Sequence, residues 1–271
     1  MEKIMEINKL YLGDCIEIMQ NKIEDNSIEL VFADPPYNLS GNGLKLQGNK
    51  TGGDWYMVNE LWDKMDDETY RSFSLNWISQ AIRCLKENGS IYISCTYHNI
   101  AEIISTLKEK KIKINNIITW QKTNAMPSLT KRMFTHSTEF VVWGVKGKNW
   151  IFNYEEIKNI NPEKQLDGSL KQMRDVWAIP IVQGKERLKT EDGRALHPTQ
   201  KPVELLKRII IASSNEGNIV LDPFVGSGTT AYVTTLLNRN YIGIEKEELY
   251  YYAALKRIEE ANNNLFFNKT N

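Results

Sequence analysis

The sequence predicts an α/β fold, a mostly parallel sheet with helices on both faces. Two observations carry that expectation. Short apolar runs alternate with stretches of helical spacing along most of the chain, the pattern of strands joined by crossover helices. Two motifs, Asp34-Pro35-Pro36-Tyr37 and Asp222 to Thr230, each directly follow an apolar run, so both sit where a strand ends. A length of 271 residues suits one large domain with a sizeable insertion.

The elements follow in order. Lys9 to Leu12 reads as a strand ending at Gly13-Asp14, and Cys15 to Lys22 has helical spacing. Ser27 to Ala33 is a buried strand running into Asp34. Thr69 to Leu85 is an amphipathic helix stopped by Asn88-Gly89, with Ser90 to Cys95 the next strand. Asn99 to Lys108 is a helix, and Ile114 to Trp120 and Glu139 to Val145 are strands. Residues 147–196 lose the alternation and carry turn signals at Asn161-Pro162, Asp167-Gly168, Gln183-Gly184 and Asp192-Gly193. Such a stretch is long for a connection and reads as an inserted functional module. Regular order resumes with a helix from Pro202 to Ser213, where proline suits the first turn. A strand from Asn218 to Leu221, a helix from about Thr229, a strand from Tyr241 to Ile244 and a last helix to about Ala261 complete the chain. The polar tail from Asn262 is expected to fray. Ser40 to Asp54 holds five glycines just after Tyr37 and is expected to form a mobile loop (40–54) over whatever Tyr37 touches.

Composition excludes several classes. Hydrophobic residues at 41% suffice for a core, and charged residues at 25% are ordinary for a soluble protein. No run approaches the ~18 apolar residues that cross a bilayer, and Met1 to Glu6 is too acidic for a signal peptide. Cys15, Cys84 and Cys95 have no paired spacing, and His98, His136 and His197 have no metal-ligand spacing, so neither a disulfide scaffold nor a metal site is expected. A cytoplasmic location is the default. Net charge is zero, yet residues 108–210 hold 20 Lys+Arg against 11 Asp+Glu, while the rest holds 14 against 23. The neutral total hides a basic middle, which is suited to a phosphate backbone; a solvated mixed surface is the alternative.

The loop Asp222 to Gly228 leaves a strand and enters a helix. Gly226 and Gly228 let backbone approach a ligand, Thr229 is placed to cap the helix, and a helix N-terminus favours a carboxylate or phosphate. Glu245 ends the next strand, 17 residues after Gly228, where an acid can accept hydrogen bonds from both ribose hydroxyls. Loop, helix and acid describe a nucleoside-containing ligand. A P-loop is excluded, because no Gly-Lys-Ser/Thr follows.

Asp34-Pro35-Pro36-Tyr37 opens on the same side of the sheet. An exocyclic amino nitrogen of adenine or cytosine is a poor nucleophile, since its lone pair is delocalised into the ring. Two acceptors on its N–H bonds localise that pair. The Asp34 carboxylate is one, and the Pro35 carbonyl, held by two rings of fixed φ, is the second. Tyr37 offers a flat face for the base. A base inside a duplex must be flipped out to arrive there. The plain alternative is a proline-rich turn after a strand.

These residues resemble the β-class DNA amino-methyltransferases, in which the amino-group motif precedes the cofactor motif, a circular permutation of motif order. The likeness spans nearly the whole chain. Asp34, Pro35, Pro36 and Tyr37 match the catalytic motif. Asp222, Pro223, Phe224, Gly226, Ser227, Gly228, Thr229 and Thr230 match the cofactor loop, and Glu245 the ribose-binding acid. His197, Thr199 and Lys201 lie in His-Pro-Thr-Gln-Lys-Pro, which the resemblance assigns to the methionine end of the cofactor, and Asp14 falls near its adenine. The resemblance implies an S-adenosylmethionine-dependent methyltransferase (Rossmann-like) fold with a seven-stranded sheet, S-adenosylmethionine itself, a single catalytic domain over 1–271 and a target-recognition region at 147–196. Trp120 to Asn124, Phe134 to Glu139 and Gln172 to Trp177 look like the second methyltransferase of DpnII-type systems, which modify adenine in GATC. Aspartate at position 34 suits adenine N6 better than cytosine N4, and cytosine stays open. RNA or a protein amide is a rival substrate, in families that place the cofactor motif first. A cognate restriction endonuclease and a homodimer are further expectations.

Lys131, Arg132, Arg174, Lys185 and Arg187 are candidate DNA contacts. His136 is open to two readings, a DNA contact and a structural hydrogen bond. The lysines of 108–113 read first as a solvated helix end, and Trp120, Trp143, Trp150 and Trp177 as core or hydrophobic cover.

Overall fold

The computed structural model describes residues 5–38, 65–128 and 131–269, with side chains as far as residue 263. The glycine-rich 40–54 segment lies outside them. The elements run β1 (Lys9–Leu12), α1 (Cys15–Lys22), β2 (Ile28–Ala33), α2 (Asp67–Cys84), β3 (Leu85–Cys95), α3 (Ile100–Glu109), β4 (Lys113–Gln121), β5 (Thr138–Val145), α4 (Tyr154–Ile160), β6 (Val176–Ala178), α5 (Val203–Ser213), β7 (Ile219–Asp222), α6 (Thr229–Leu236), β8 (Asn240–Glu245) and α7 (Glu248–Lys269).

One eight-stranded sheet has the order β1-β8-β7-β2-β3-β5-β4-β6. Only β5 runs antiparallel to its neighbours. The central strands bury both faces, which is why they read as continuous apolar runs. On β2, Val31 and Ala33 face one core with Ile91, Ile93 and Leu221, beside Met19, Trp77 and Ile103 of α1, α2 and α3. Leu30 and Phe32 face the other with Tyr92 and Val220, beside Leu205, Ile209 and Val233 of α5 and α6. The period of two thus decides which helices each residue meets.

The eighth strand departs from the seven expected. Val176–Ala178 adds beside β4, pairing Trp177 with Trp120 in parallel register. Three residues are too few to show alternation. Trp177 is buried there and its Nε1 donates to the Arg174 carbonyl at 2.8 Å. The insert also holds α4, whose Ile157 packs on Ile211 and Ala212. Its turn signals were well placed, since isolated bridges Lys164–Leu170 and Lys189–Ala195 close around Asp167-Gly168 and Asp192-Gly193.

Two boundaries also differ. Helix α2 ends at Cys84, within one residue of the expected Leu85, but β3 starts at Leu85 instead of Ser90 and takes in Asn88-Gly89, where its register on β2 shifts. Lys146 Nζ donates to the carbonyls of Leu85 at 2.8 Å and Ile82 at 3.3 Å, satisfying the helix end from just beyond β5. Helix α7 continues through Lys269 instead of fraying at Asn262, with no Gly or Pro to break it.

Candidate active site

Strand β2 lies between β7 and β3, with Val31 opposite Leu221. From β2 the chain proceeds to β3 on one side, and from β7 to β8 on the other. That reversal opens a crevice at the carboxyl ends of the strands, the usual ligand position in such a sheet. A cavity of about 400 Å³ fills it. Its walls come from Gly13-Asp14 after β1, Asp34 to Tyr37 after β2, the loop from Asp222 after β7, Glu245 at the end of β8, and His197 to Lys201 before α5. Residues far apart in sequence meet because each ends or follows an element on this side.

Asp34 is held by two donors. The Tyr37 hydroxyl donates to Oδ1 at 2.7 Å, and Lys201 Nζ donates to Oδ2 at 2.6 Å. The Tyr37 oxygen also lies 2.7 Å from Ser94 Oγ. A phenol has one proton, so with Asp34 as its acceptor the Ser94 hydroxyl is the donor in that second bond. Burial and the Asp34 and Glu139 carboxylates raise the Tyr37 pKa well above the ordinary value and keep the phenol neutral. Burial opposes the charge on Lys201, but Asp34 and Glu139 outweigh it and its pKa is raised. Glu139 Oε2 stands 4.0 Å from Lys201 Nζ and has no hydrogen-bond partner among the described residues, while its other oxygen pairs with Lys122. Lys201 Nζ lies over the Tyr37 ring, 5.3 Å from its centroid, so one ring face meets the ammonium. The Tyr70 hydroxyl donates to the Pro36 carbonyl at 3.0 Å and accepts from Asn99 Nδ2 at 2.9 Å, fixing the Pro-Pro turn from α2.

The opposite wall is built on Asp222 and Glu245. Asp222 Oδ1 accepts from the Phe224 amide at 2.9 Å and Oδ2 from the Thr230 hydroxyl at 2.5 Å. Burial pushes its pKa up to about 7 despite those bonds. Glu245 accepts from the amides of Gly226 at 2.7 Å and of Lys246 and Glu247 at 2.9 Å. Burial still raises its pKa, and the three amides pull the other way. Gly226 has φ +48°, and a Cβ there would stand 3.0 Å from His197 Nε2. His197 stacks at a tilt on Tyr250, with ring centroids 4.4 Å apart, and burial lowers its pKa to about 4, so its imidazole is neutral. Nδ1 accepts from the Thr199 amide at 3.2 Å, which leaves the proton on Nε2, facing Gly226. Phe224 packs edge-on against Trp77 at 5.1 Å, tying the loop to α2.

Several expected residues have other or additional contacts. Thr229 does not cap α6: the cap position is Gly228 at φ +79°, with no side-chain cap bond. The Thr229 hydroxyl instead donates to the Lys201 carbonyl at 3.1 Å and accepts from Arg257 at 2.7 Å. Asp14 caps α1 through bonds from the amides of Ile16 and Glu17, while lining the cavity. Ser227, Pro223 and Thr199 line the same cavity. Ser94, Tyr70, Glu139 and Tyr250 carried no assignment; only Ser94 left a signal, as a polar residue near the end of a strand adjoining β2.

The DNA-contact candidates scatter. Lys131 and Arg132 are exposed in the connection between β4 and β5, and Arg174 and Lys185 are exposed in the insert. Arg187 is half-buried and its Nη1 bonds the Val182 carbonyl at 3.3 Å. His136 is exposed and stacks on Tyr97 at 5.3 Å. Trp120, Trp143 and Trp177 are core, and Trp150 packs against that core under Lys113. No helix among the described residues is long and apolar enough to cross a membrane.

Comparison with known proteins agrees with this geometry. A DNA methylase family model of the N6/N4 type matches residues 28–256. Type II methyltransferase M2.MboI of Moraxella bovis is 43% identical over 242 residues, covering 88% of this chain and 82% of the relative. Type II methyltransferase M.HinfI of Haemophilus influenzae is 40% identical over 257 residues, covering 94% and 69%. The crystal structure of the M1.HpyAVI–SAM complex superposes with a TM-score of 0.65 at 30% identity, covering 92% of this chain and 98% of that one. PvuII DNA methyltransferase, cytosine-N4-specific, shares the fold at a TM-score of 0.67 and 18% identity. The chain belongs to the DNA methylase family and is an S-adenosylmethionine-dependent DNA methyltransferase.

Proposed function

We propose that this methyltransferase acts on the exocyclic N6 of an adenine turned out of DNA. The observation that carries the reading is the Asp34 carboxylate at the end of β2, oriented by Tyr37 and Lys201 on the cavity that the glycine loop walls from the other side. Each of its oxygens receives one protein donor and keeps a lone pair for an incoming N–H. Asp34 and the Pro35 carbonyl then localise the amino lone pair.

S-adenosylmethionine, when bound, supplies a methyl group on a sulfonium. The residues present fit it. Gly226 leaves open the space beside His197 that a Cβ would enter, and the glycine loop, Glu245 and Asp14 ring the cavity. We assign the nucleoside to Glu245 and Asp14, and the methionine end to the loop with His197 and Thr199. Holding the reacting atoms in place supplies most of the rate.

Aspartate at position 34 favours adenine over cytosine, and the order of the two motifs favours DNA over RNA or a protein amide. Residues 147–196 are assigned to target recognition, with Lys131, Arg132, Arg174, Lys185 and Arg187 at the phosphates. A companion endonuclease belongs to the same proposal, supported by the Type II names of the relatives, and so do a homodimeric state and a cytoplasmic location.

The test is sequencing of modified bases in DNA from cells expressing the chain, alongside Asp34→Ala. N6-methyladenine that disappears in the variant is the expected result. N4-methylcytosine would replace the base assignment, and undiminished methylation by Asp34→Ala would remove the mechanism.

A further inference from the structure

We propose that Met133 and Phe134, on the approach to β5, enter the DNA duplex at the target base pair, with Phe134 as an apolar wedge that occupies the stack as the nucleotide leaves it. This rests on the reading of a flipped base in DNA.

Four observations carry it. First, Phe134 is 97% exposed and Met133 beside it 60% exposed. A single exposed apolar residue is unremarkable. Two consecutive ones, one of them a wholly solvated phenyl ring, form an apolar edge of the kind proteins insert between base steps.

Second, the described stretches around Phe134, residues 122–128 and 131–137, are tied to each other and to the insert. The Lys122 amide donates to the Ser137 carbonyl at 2.7 Å across its base. Asn124 makes two bonds to Ile181, Nδ2 to the carbonyl at 3.2 Å and Oδ1 from the amide at 2.7 Å. The Ser128 amide donates to Thr135 Oγ1 at 3.2 Å. Phe134 is therefore presented from an anchored support.

Third, topology aims the loop at the active site. Strand β5 is antiparallel to both β3 and β4, so β4 is parallel to β3 and ends on the side where Asp34 lies. The loop returns at Glu139, whose Oε2 is 4.0 Å from the Lys201 ammonium that binds Asp34.

Fourth, its charge suits a phosphate backbone. Lys131 and Arg132 precede Met133 and Phe134, are exposed, and have no ion-pair partner among the described residues. Tyr97, 58% exposed after β3, stacks on His136 and adds a second aromatic surface beside the loop. Cations to hold the strands and an apolar edge to enter the stack match a duplex, and a purely phosphate-tracking loop would have no use for the phenyl ring.

The experiment compares wild type, Phe134→Ala and Phe134→Trp on one oligonucleotide carrying the motif found by modified-base sequencing. It is offered as a perfect duplex, as a duplex with the target adenine opposite an abasic site, and as a single strand. Loss of base stacking predicts that Phe134→Ala lowers kcat/KM on the perfect duplex roughly 10- to 100-fold. The unpaired and single-stranded forms lose no more than about threefold, since their base is already free to turn out. Phe134→Trp keeps activity on all three. With 2-aminopurine at the target position, wild type raises the fluorescence of the duplex and Phe134→Ala does not. Equal activity of Phe134→Ala and wild type on the duplex overturns the wedge with the methylation reading intact. So does an equal loss on all three substrates. Failure of wild type to methylate any of them overturns the methylation reading, and the wedge with it.

Discussion

Lys201 Nζ donates to Asp34 Oδ2 at 2.6 Å, joining residues 167 positions apart in the chain. Both side chains are largely buried, at 6% and 15% exposure, so the pair is shielded from the screening that weakens surface ion pairs. Lys201 was expected on the cofactor's methionine end. Its contacts fix the Asp34 carboxylate, the group we propose meets the target amino group. Lys201→Met is expected to lower kcat roughly 100-fold, the loss that misplacing reacting groups by about 1 Å can cause. Affinity for S-adenosylmethionine, measured by calorimetry, should change by less than about fivefold. A large loss of cofactor affinity with kcat preserved would return Lys201 to the cofactor role.

Tyr37→Phe tests the other donor. The ring stays, but Asp34 Oδ1 and Ser94 Oγ each lose a 2.7 Å bond in a buried setting. Leaving buried polar groups unpaired costs about 1–3 kcal/mol. The variant should unfold at a correspondingly lower denaturant midpoint and turn over about tenfold more slowly. The double change Tyr37→Phe with Ser94→Ala should recover part of the stability, because it removes the orphaned hydroxyl, and none of the turnover. Recovery of turnover would mean that Tyr37 serves folding and not orientation of Asp34.

Gly228 is held by packing against α7 and does not itself line the cavity. Its φ of +79° is costly for any side chain, and a Cβ would stand 2.8 Å from Ala254 Cβ and 2.9 Å from Ala254 Cα on α7. Gly228→Ala is expected to destabilise by about 2–3 kcal/mol through strain and overpacking together. Adding Ala254→Gly should remove the methyl contact but leave the 2.9 Å approach to the Cα and the dihedral strain, so thermal denaturation should show only partial rescue. Full rescue would assign the whole effect to packing.

Asp34 and Asp222 were legible because each ends a run of apolar residues and opens a distinctive loop, and the sheet order then makes them neighbours. What Lys201 and Thr229 bind was not legible. Their partners, Asp34 and Arg257, come from elements whose adjacency only the folded sheet creates. Strand β6 escaped because three residues have no period, and its pairing is decided by Trp177 finding the edge of β4. The start of β3 differs for a similar reason. Leu85 pairs with Ile28 ahead of a register shift that takes in Asn88-Gly89, and only the neighbouring strand β2 makes those residues part of the sheet.

Asp222 and His197 give stability a legible dependence on pH. Burial pushes the Asp222 carboxyl up to about 7 from 3.8, so between those values the folded chain holds a proton that the unfolded chain has released. Stability from Asp222 is then fully present below about pH 4 and lost as pH rises through about 7. Burial lowers His197 to about 4 from 6.5, so there the unfolded chain holds the extra proton and stability rises with pH over that window. The two slopes oppose each other between about pH 4 and 6.5. Asp222→Asn removes one of them. Measured by urea unfolding at pH 4.5, 5.5, 6.5 and 7.5, the variant should gain on wild type by about 3 kcal/mol over that range, most of it below pH 7. The acceptor oxygen lost to Thr230 or Phe224 adds a constant offset against the variant, leaving the slope as the diagnostic quantity. A difference between the two proteins that does not vary with pH would mean that Asp222 is ionised in the folded protein throughout this range.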